Sequence, residues 1–274
     1  MRRGSDRRGP TMLEAKNDRF WDVVDRGAEV RKVAGGFGFT EGPVNSRRGF
    51  LLFSDIPNNR IHRWEKGKLS VFRENSNKAN GLTFDHQGRL LTCEGGGRVT
   101  RTEKNGAITV LASDGLQGPN DLVYAIDGSI YFTDLPRGKV YQITRRGQVR
   151  VVAEDCSGPN GVALGPNQQT LYVADSRQKK IRTYEIAADG SLEKGRDFAE
   201  ARGDGLKTDE KGNVWVASEG GIWVFDAAGV HLGVIRTPEG PSNLNWGDGF
   251  RGLYITARTS LYHVSTKAAG TRTF

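Results

Sequence analysis

Six oxygen-bearing side chains recur along the 274-residue chain at nearly constant spacing: Glu41, Asn80, Asn120, Asn160, Asp204 and Asn243, separated by 39, 40, 40, 44 and 39 residues. Each leads a short apolar run. In Gly118 to Asp134, GPNDLVYAIDGSIYFTD, Asn120 opens one strand, Asp127-Gly128 turns the chain and a second strand ends on Asp134. Any one lead residue has a structural explanation, because Asn and Asp bond their own backbone at strand starts and turns. Six in one register imply a shared destination. Two carboxylates and four amides meeting at one place form an all-oxygen donor set, which suits a hard divalent cation. Ca²⁺ fits first, with Mg²⁺ and Mn²⁺ as competitors. Zn²⁺ comes last, since the set holds no His or Cys.

Positioning such a ring requires a repeat. Each unit of about forty residues reads as four short strands, with turn pairs at Gln87-Gly88, Asn105-Gly106, Asp127-Gly128, Arg146-Gly147, Asp189-Gly190, Lys211-Gly212 and Ala228-Gly229. Six such units predict an all-β, six-bladed β-propeller with a central metal site. Its first strands line one channel, so the six lead residues point into the same end. Ala28 to Ala34 alternates as a strand and is expected to complete the sixth sheet, removing an open edge. Phe20 to Asp25 reads as a short helical turn or an edge strand. Residues 1–19 are expected to be a disordered tail, and 20–274 a single propeller domain. By strand alternation Asp121 is expected to point away from Asn120, supporting a ligand without binding metal.

Composition excludes more than it selects. The net charge of +8 is partly due to residues 1–19, with six basic and three acidic side chains, and the other basic residues form no stripe of the kind nucleic acid requires. No apolar run is long enough to span a membrane, and no apolar segment follows the N-terminal arginines as in a signal peptide, so a cytoplasmic protein is expected. Cys93 and Cys156 match no zinc spacing and read as buried thiols. His62, His86, His231 and His263 are expected on outer strands or turns. The chain lacks G-x-S-x-G, P-loop and H-E-x-x-H motifs.

The segments TEGPV (Thr40 to Val44), FSDIPNNRIHRW (Phe53 to Trp64), NGLTFDHQGRLLTCE, GPNDLVYAIDGSIYFTD, GPNGVALGPNQQTLYVADS and GDGLKTDEKGNVWVAS resemble the gluconolactonase, regucalcin and luciferin-regenerating enzyme family. The resemblance runs from Thr40 through nearly all the remaining chain. It implies a six-bladed propeller whose central divalent cation serves hydrolysis of sugar lactones and related esters. Carried over by motif, the metal ligands fall on Glu41, Asn120, Asn160 and Asp204, while Asn80 and Asn243 line the substrate pocket. Two departures stand out. Gly95 follows the Cys-Glu pair, where bacterial gluconolactonases usually have His, and the loop after Asp134 is short. The expected reaction is opening of a small-molecule lactone by water, with the cation activating the carbonyl and Asp204 accepting a proton. Alternatives are an aryl-ester or organophosphate hydrolase using the same site, or a non-catalytic ligand- or protein-binding propeller with a structural cation.

Overall fold

The computed structural model describes residues 12–272. The seven turn glycines identified by sequence all adopt positive φ, between 73° and 91°, which closes tight hairpins at little steric cost. Between them the chain folds into six antiparallel sheets, a six-bladed β-propeller. The innermost strands are Thr40–Ser46, Ala79–Phe84, Pro119–Tyr124, Pro159–Leu164, Leu206–Thr208 and Pro241–Gly247. No α-helix occurs among the described residues, and no helix there is long and apolar enough to cross a membrane.

Both faces of each sheet meet a neighbour, so the strands are apolar runs instead of alternating ones. Phe50–Asp55, the second strand of the first blade, is buried at every position. Leu122, Phe132 and Tyr141 of the third blade pack on Leu91, Cys93 and Val99 of the second. Trp215 and Trp246 meet edge to face, 5.1 Å between centroids, where the fifth blade joins the sixth.

Ring closure follows the expectation. Arg31–Gly35 pairs with Ser260–Ser265 as the outermost strand of the sixth blade, whose other strands come from the C-terminal end. On the channel side, Ser242 Oγ donates to Thr40 O (2.6 Å) and Asn245 Nδ2 to Pro43 O (2.8 Å), joining the last blade to the first.

The expected N-terminal tail needs correction where it can be seen; residues 1–11 lie outside the described residues. Leu13–Ala15 pairs with Gly233 to Ile235 as a fifth strand on the outer edge of the fifth blade. Arg236 Nε donates to Glu14 Oε2 (3.1 Å), and Leu13 and Ala15 pack against the adjoining core. The strand covers an edge that would otherwise present unpaired backbone groups. Asp18–Asp22 is a 3₁₀ turn capped by Asn17, and it carries Phe20 into full burial beside Trp215. Burial of that ring contributes about 1.5–3 kcal/mol.

Candidate active site at the upper end of the channel

Each innermost strand enters the channel through an irregularity, at the end termed upper here. In five blades the ladder shifts register, between Glu41 and Val44, Ala79 and Leu82, Pro119 and Leu122, Pro159 and Val162, and Pro241 and Asn243. In the fifth blade Asp204 stands just ahead of the strand, its amide donating to Ala217 O (2.8 Å). A bulge suspends the alternation of side chains, so consecutive residues can face the axis.

Two layers result. Glu41, Asn80, Asn120, Asn160, Asp204 and Ser242 share the first register; Gly42, Gly81, Asp121, Gly161, Gly205 and Asn243 share the second. Gly161 N donates to Asp204 O (3.1 Å) and Gly205 N to Ser242 O (2.7 Å), which equates Asp204 with Ser242. Asn243, expected in the first layer, belongs to the second. The sequence carried a signal for this: Pro119-Asn120, Pro159-Asn160 and Pro241-Ser242 align proline with proline.

The glycines of the second layer are contact points between blades, not turns. A Cβ on Gly42 would fall 2.1 Å from Asn80 O, and one on Gly161 2.3 Å from Asp204 O. The two residues that are not glycine meet each other across the channel. Asn243 Nδ2 donates to Asp121 Oδ2 (3.3 Å) and to Glu41 Oε2 (3.0 Å), while Asn243 Oδ1 accepts from Leu244 N (2.8 Å). Both amide hydrogens of Asn243 are thus engaged in holding two carboxylates. Asp121 turns toward Glu41 and Asn243, correcting the expectation that it points away, and its Oδ1 accepts from Leu122 N (2.9 Å).

Two buried carboxylates, Glu41 and Asp121, thus lie close to a third, the half-buried Asp204. Burial, then the negative charges of Asp204 and Asp121, raise the Glu41 carboxyl well above the usual range, although Gly42 N and Asn243 donate to it. Burial and Asp121 push Asp204 up to about 7 against a hydrogen bond from Asn160. Lys207, which sequence reasoning did not single out, places Nζ 3.6 Å from Asp121 Oδ2. It is the one charged residue at its register, where the other blades carry Val44, Thr83, Val123, Ala163 and Asn245.

Buried groups behind the ring fix its backbone. Ser54 Oγ donates to Asn80 O (2.7 Å) and Thr133 Oγ1 to Asn160 O (2.5 Å), each reaching from one blade to the next. Asp55 accepts from the amides of Gly38 and Phe39, Asp134 from those of Gln117 and Gly118, and Asp175 from those of Ser157 and Gly158. These carboxylates hold the segments that deliver Glu41, Asn120 and Asn160. None of the histidines belongs to the upper ring: His62 stacks on Phe53, His86 bonds Tyr124 OH, His231 stacks on Trp223 and His263 faces Asp248. Cys93 and Cys156 are free and buried, as expected. At Gly95 a Cβ would lie 3.1 Å from Lys78 O, so a larger side chain there would press on that loop.

The first layer fits a hard cation in donor chemistry: its side chains offer only oxygen and amide groups, and the buried Asn80 Oδ1 has no hydrogen-bond partner. Among the described residues no three His, Cys, Asp or Glu side chains form a cage by themselves, so an ion here would draw on asparagine carbonyls.

Known proteins place this architecture. A gluconolactonase from Zymomonas mobilis is 27% identical over 300 aligned positions, covering 90% of this chain and 84% of that protein. The solved structure of a gluconolactonase from Xanthomonas campestris is 30% identical and superposes with a TM-score of 0.86, covering 93% of this chain and 94% of the other. Regucalcin from Agrobacterium tumefaciens, described as a calcium-binding protein, shares the fold at 19% identity, with a TM-score of 0.78 and coverage of 89% and 95%. The region described as SMP-30/Gluconolactonase/LRE-like matches residues 39–259, and the chain therefore belongs to that family.

Proposed function

We propose that the upper end of the channel is the active site of a lactone hydrolase that works with one bound divalent cation, Ca²⁺ first among the candidates. The observation that carries the reading is the pair of carboxylates, the buried Glu41 and the half-buried Asp204, in a layer of oxygen donors, both with raised proton affinity. The gluconolactonases from Zymomonas mobilis and Xanthomonas campestris support the substrate class. Glu41, Asn120, Asn160 and Asp204 would hold the cation. When bound, it supplies Lewis-acid polarisation of the lactone carbonyl and stabilises the charge that develops there.

The chain's own groups do the rest. Asp204 takes a proton from the water that attacks the carbonyl carbon; its proton affinity is raised in the metal-free ring, and a bound cation would lower it. The ring C–O bond breaks and Asp204 returns that proton to the departing ring oxygen, leaving a carboxylic acid and a hydroxyl. Asn160 donates to Asp204 and orients it. Asn80, with an unpaired buried Oδ1, is placed to accept from a substrate hydroxyl. Asn243 acts indirectly, by holding Glu41 and Asp121. The test is acid release from a panel of sugar lactones by metal-stripped protein and after addition of Ca²⁺, Mg²⁺, Mn²⁺ or Zn²⁺. Activity should require added metal. Equal rates in chelator and in metal would overturn the reading.

A further inference from the structure

A cavity of about 620 Å³ opens at the other, lower end of the channel, where the innermost strands finish. That volume is in the range of small-molecule sites. Four cations border it. Arg47 and Arg48 lie on the turn that ends the first blade's innermost strand, Lys66 on the hairpin turn after Trp64, and Lys207 at the inner end. Two acids on the same wall are paired with arginines, Glu65 with Arg63 (2.8 Å) and Asp85 with Arg89 (2.7 Å), while Asp248 lies 2.9 Å from His263 Nε2, a pair only when the imidazole is protonated. Among the described residues Arg47, Arg48 and Lys66 have no ion-pair partner. Arg48 sits over the Phe50 ring, 5.8 Å from its centroid. Phe50, Trp64 and Trp246 supply the apolar wall beside these charges.

We infer that this lower cavity is a second ligand site, for small organic anions in which a carboxylate or phosphate group is carried on an apolar or ring body. Guanidinium and ammonium groups without ion-pair partners at the rim of a concave surface attract such a group and can hydrogen-bond it. The aromatic wall takes the body of the ligand and adds burial that an inorganic ion cannot supply. Nothing in this inference depends on lactone hydrolysis at the upper end.

Isothermal titration of the full chain with phenyl phosphate and with benzoate separates the two head groups, while inorganic phosphate and benzyl alcohol present head and body alone. Saturable binding is expected at millimolar concentration for at least one of the two anions, and weaker binding for both controls. The combined variant Arg47→Ala, Arg48→Ala, Lys66→Ala removes only exposed side chains and should weaken the anion at least tenfold. Asp204→Ala, altered at the upper end, should bind it as the parent does. Absence of saturable binding overturns the inference. So does an unchanged affinity in the triple variant, a loss in Asp204→Ala, or benzyl alcohol binding as tightly as the anions.

Discussion

The two ends of one channel are built on opposite plans. At the upper end the backbones of neighbouring blades touch through Gly42 and Gly161, and the acids Glu41, Asp121 and Asp204 crowd together. At the lower end the strands have finished, the turns stand free, and among the described residues three of the cations bordering the space, Arg47, Arg48 and Lys66, have no ion-pair partner. Lys207 lies between these regions, bordering the lower cavity and facing Asp121. The contrast teaches that the repeat fixes strand positions at both ends but concentrates chemistry where bulges bring two residues per blade to the axis. Pseudosymmetry supplies the ring, and departures from it at Asp121, Asn243 and Lys207 supply its charge pattern.

The sharpest way to break the contrast is to remove the upper carboxylate assigned to proton transfer. Asp204→Ala should lower lactone hydrolysis by about 10²–10⁴-fold. Its metal-free thermal stability should equal or exceed that of the parent, because one of three crowded acids is gone. A variant that keeps parental turnover would remove Asp204 from the mechanism.

Packing offers the second comparison. Gly161→Ala sets a Cβ against Asp204 O at the upper end and should cost at least about 3 kcal/mol, since two backbones must part. Gly49→Ala, at φ 82° on the lower turn with nothing within 4 Å of the added carbon, should cost only the left-handed backbone penalty, about 1–2 kcal/mol. Urea denaturation of both variants measures the difference, and equal losses would deny that the upper end is the tight one.

Lys207→Met tests the residue between the two ends. The ammonium faces Asp121 within a largely buried pair, and its loss should destabilise the metal-free protein by about 1–3 kcal/mol. Added Ca²⁺ should narrow that deficit if a cation in the ring offsets the same negative charge. A melting temperature equal to the parent's in metal-free buffer would show that Lys207 does not compensate the acids.

Much of this was legible in the sequence because turn chemistry and repeat length are local. The seven glycine turns, the closing strand and the first five lead residues follow from dipeptides and spacing alone. What escaped was set by contacts between blades. Asp121 alternates away from Asn120 only in a regular strand, and the bulge becomes visible once the register between Pro119 and Leu122 is known. Asn243 looked like a lead residue because it precedes an apolar Leu, whereas the hydrogen bond from Gly205 N to Ser242 O sets the true register. Lys207 is a lone Lys in a strand, and only the fold shows that its position faces Asp121. Leu13–Ala15 was hidden by the charged residues around it, since three residues are too few to show a period.

A carboxylate at the edge of the sixth blade isolates what burial does at the upper end. Glu41 is raised because desolvation and neighbouring acids outweigh its donors. Glu239 is also drawn upward by burial, but donors from Ser260, from the Thr259 amide and hydroxyl (both 2.8 Å) and from Tyr262 OH (2.9 Å) outweigh it and bring the group down to about 2. A carboxyl depressed in the fold stabilises above its ordinary value of 4.5, and that contribution is lost as pH falls through the folded value. Glu239→Gln should therefore melt below the parent at neutral pH, with the gap closing between 4.5 and about 2. Melting curves of parent and variant across that interval check the sign. A gap that stayed constant with pH would mean that the side chain acts through its shape and not its charge, and the opposition between Glu41 and Glu239 would have to be explained without their donors.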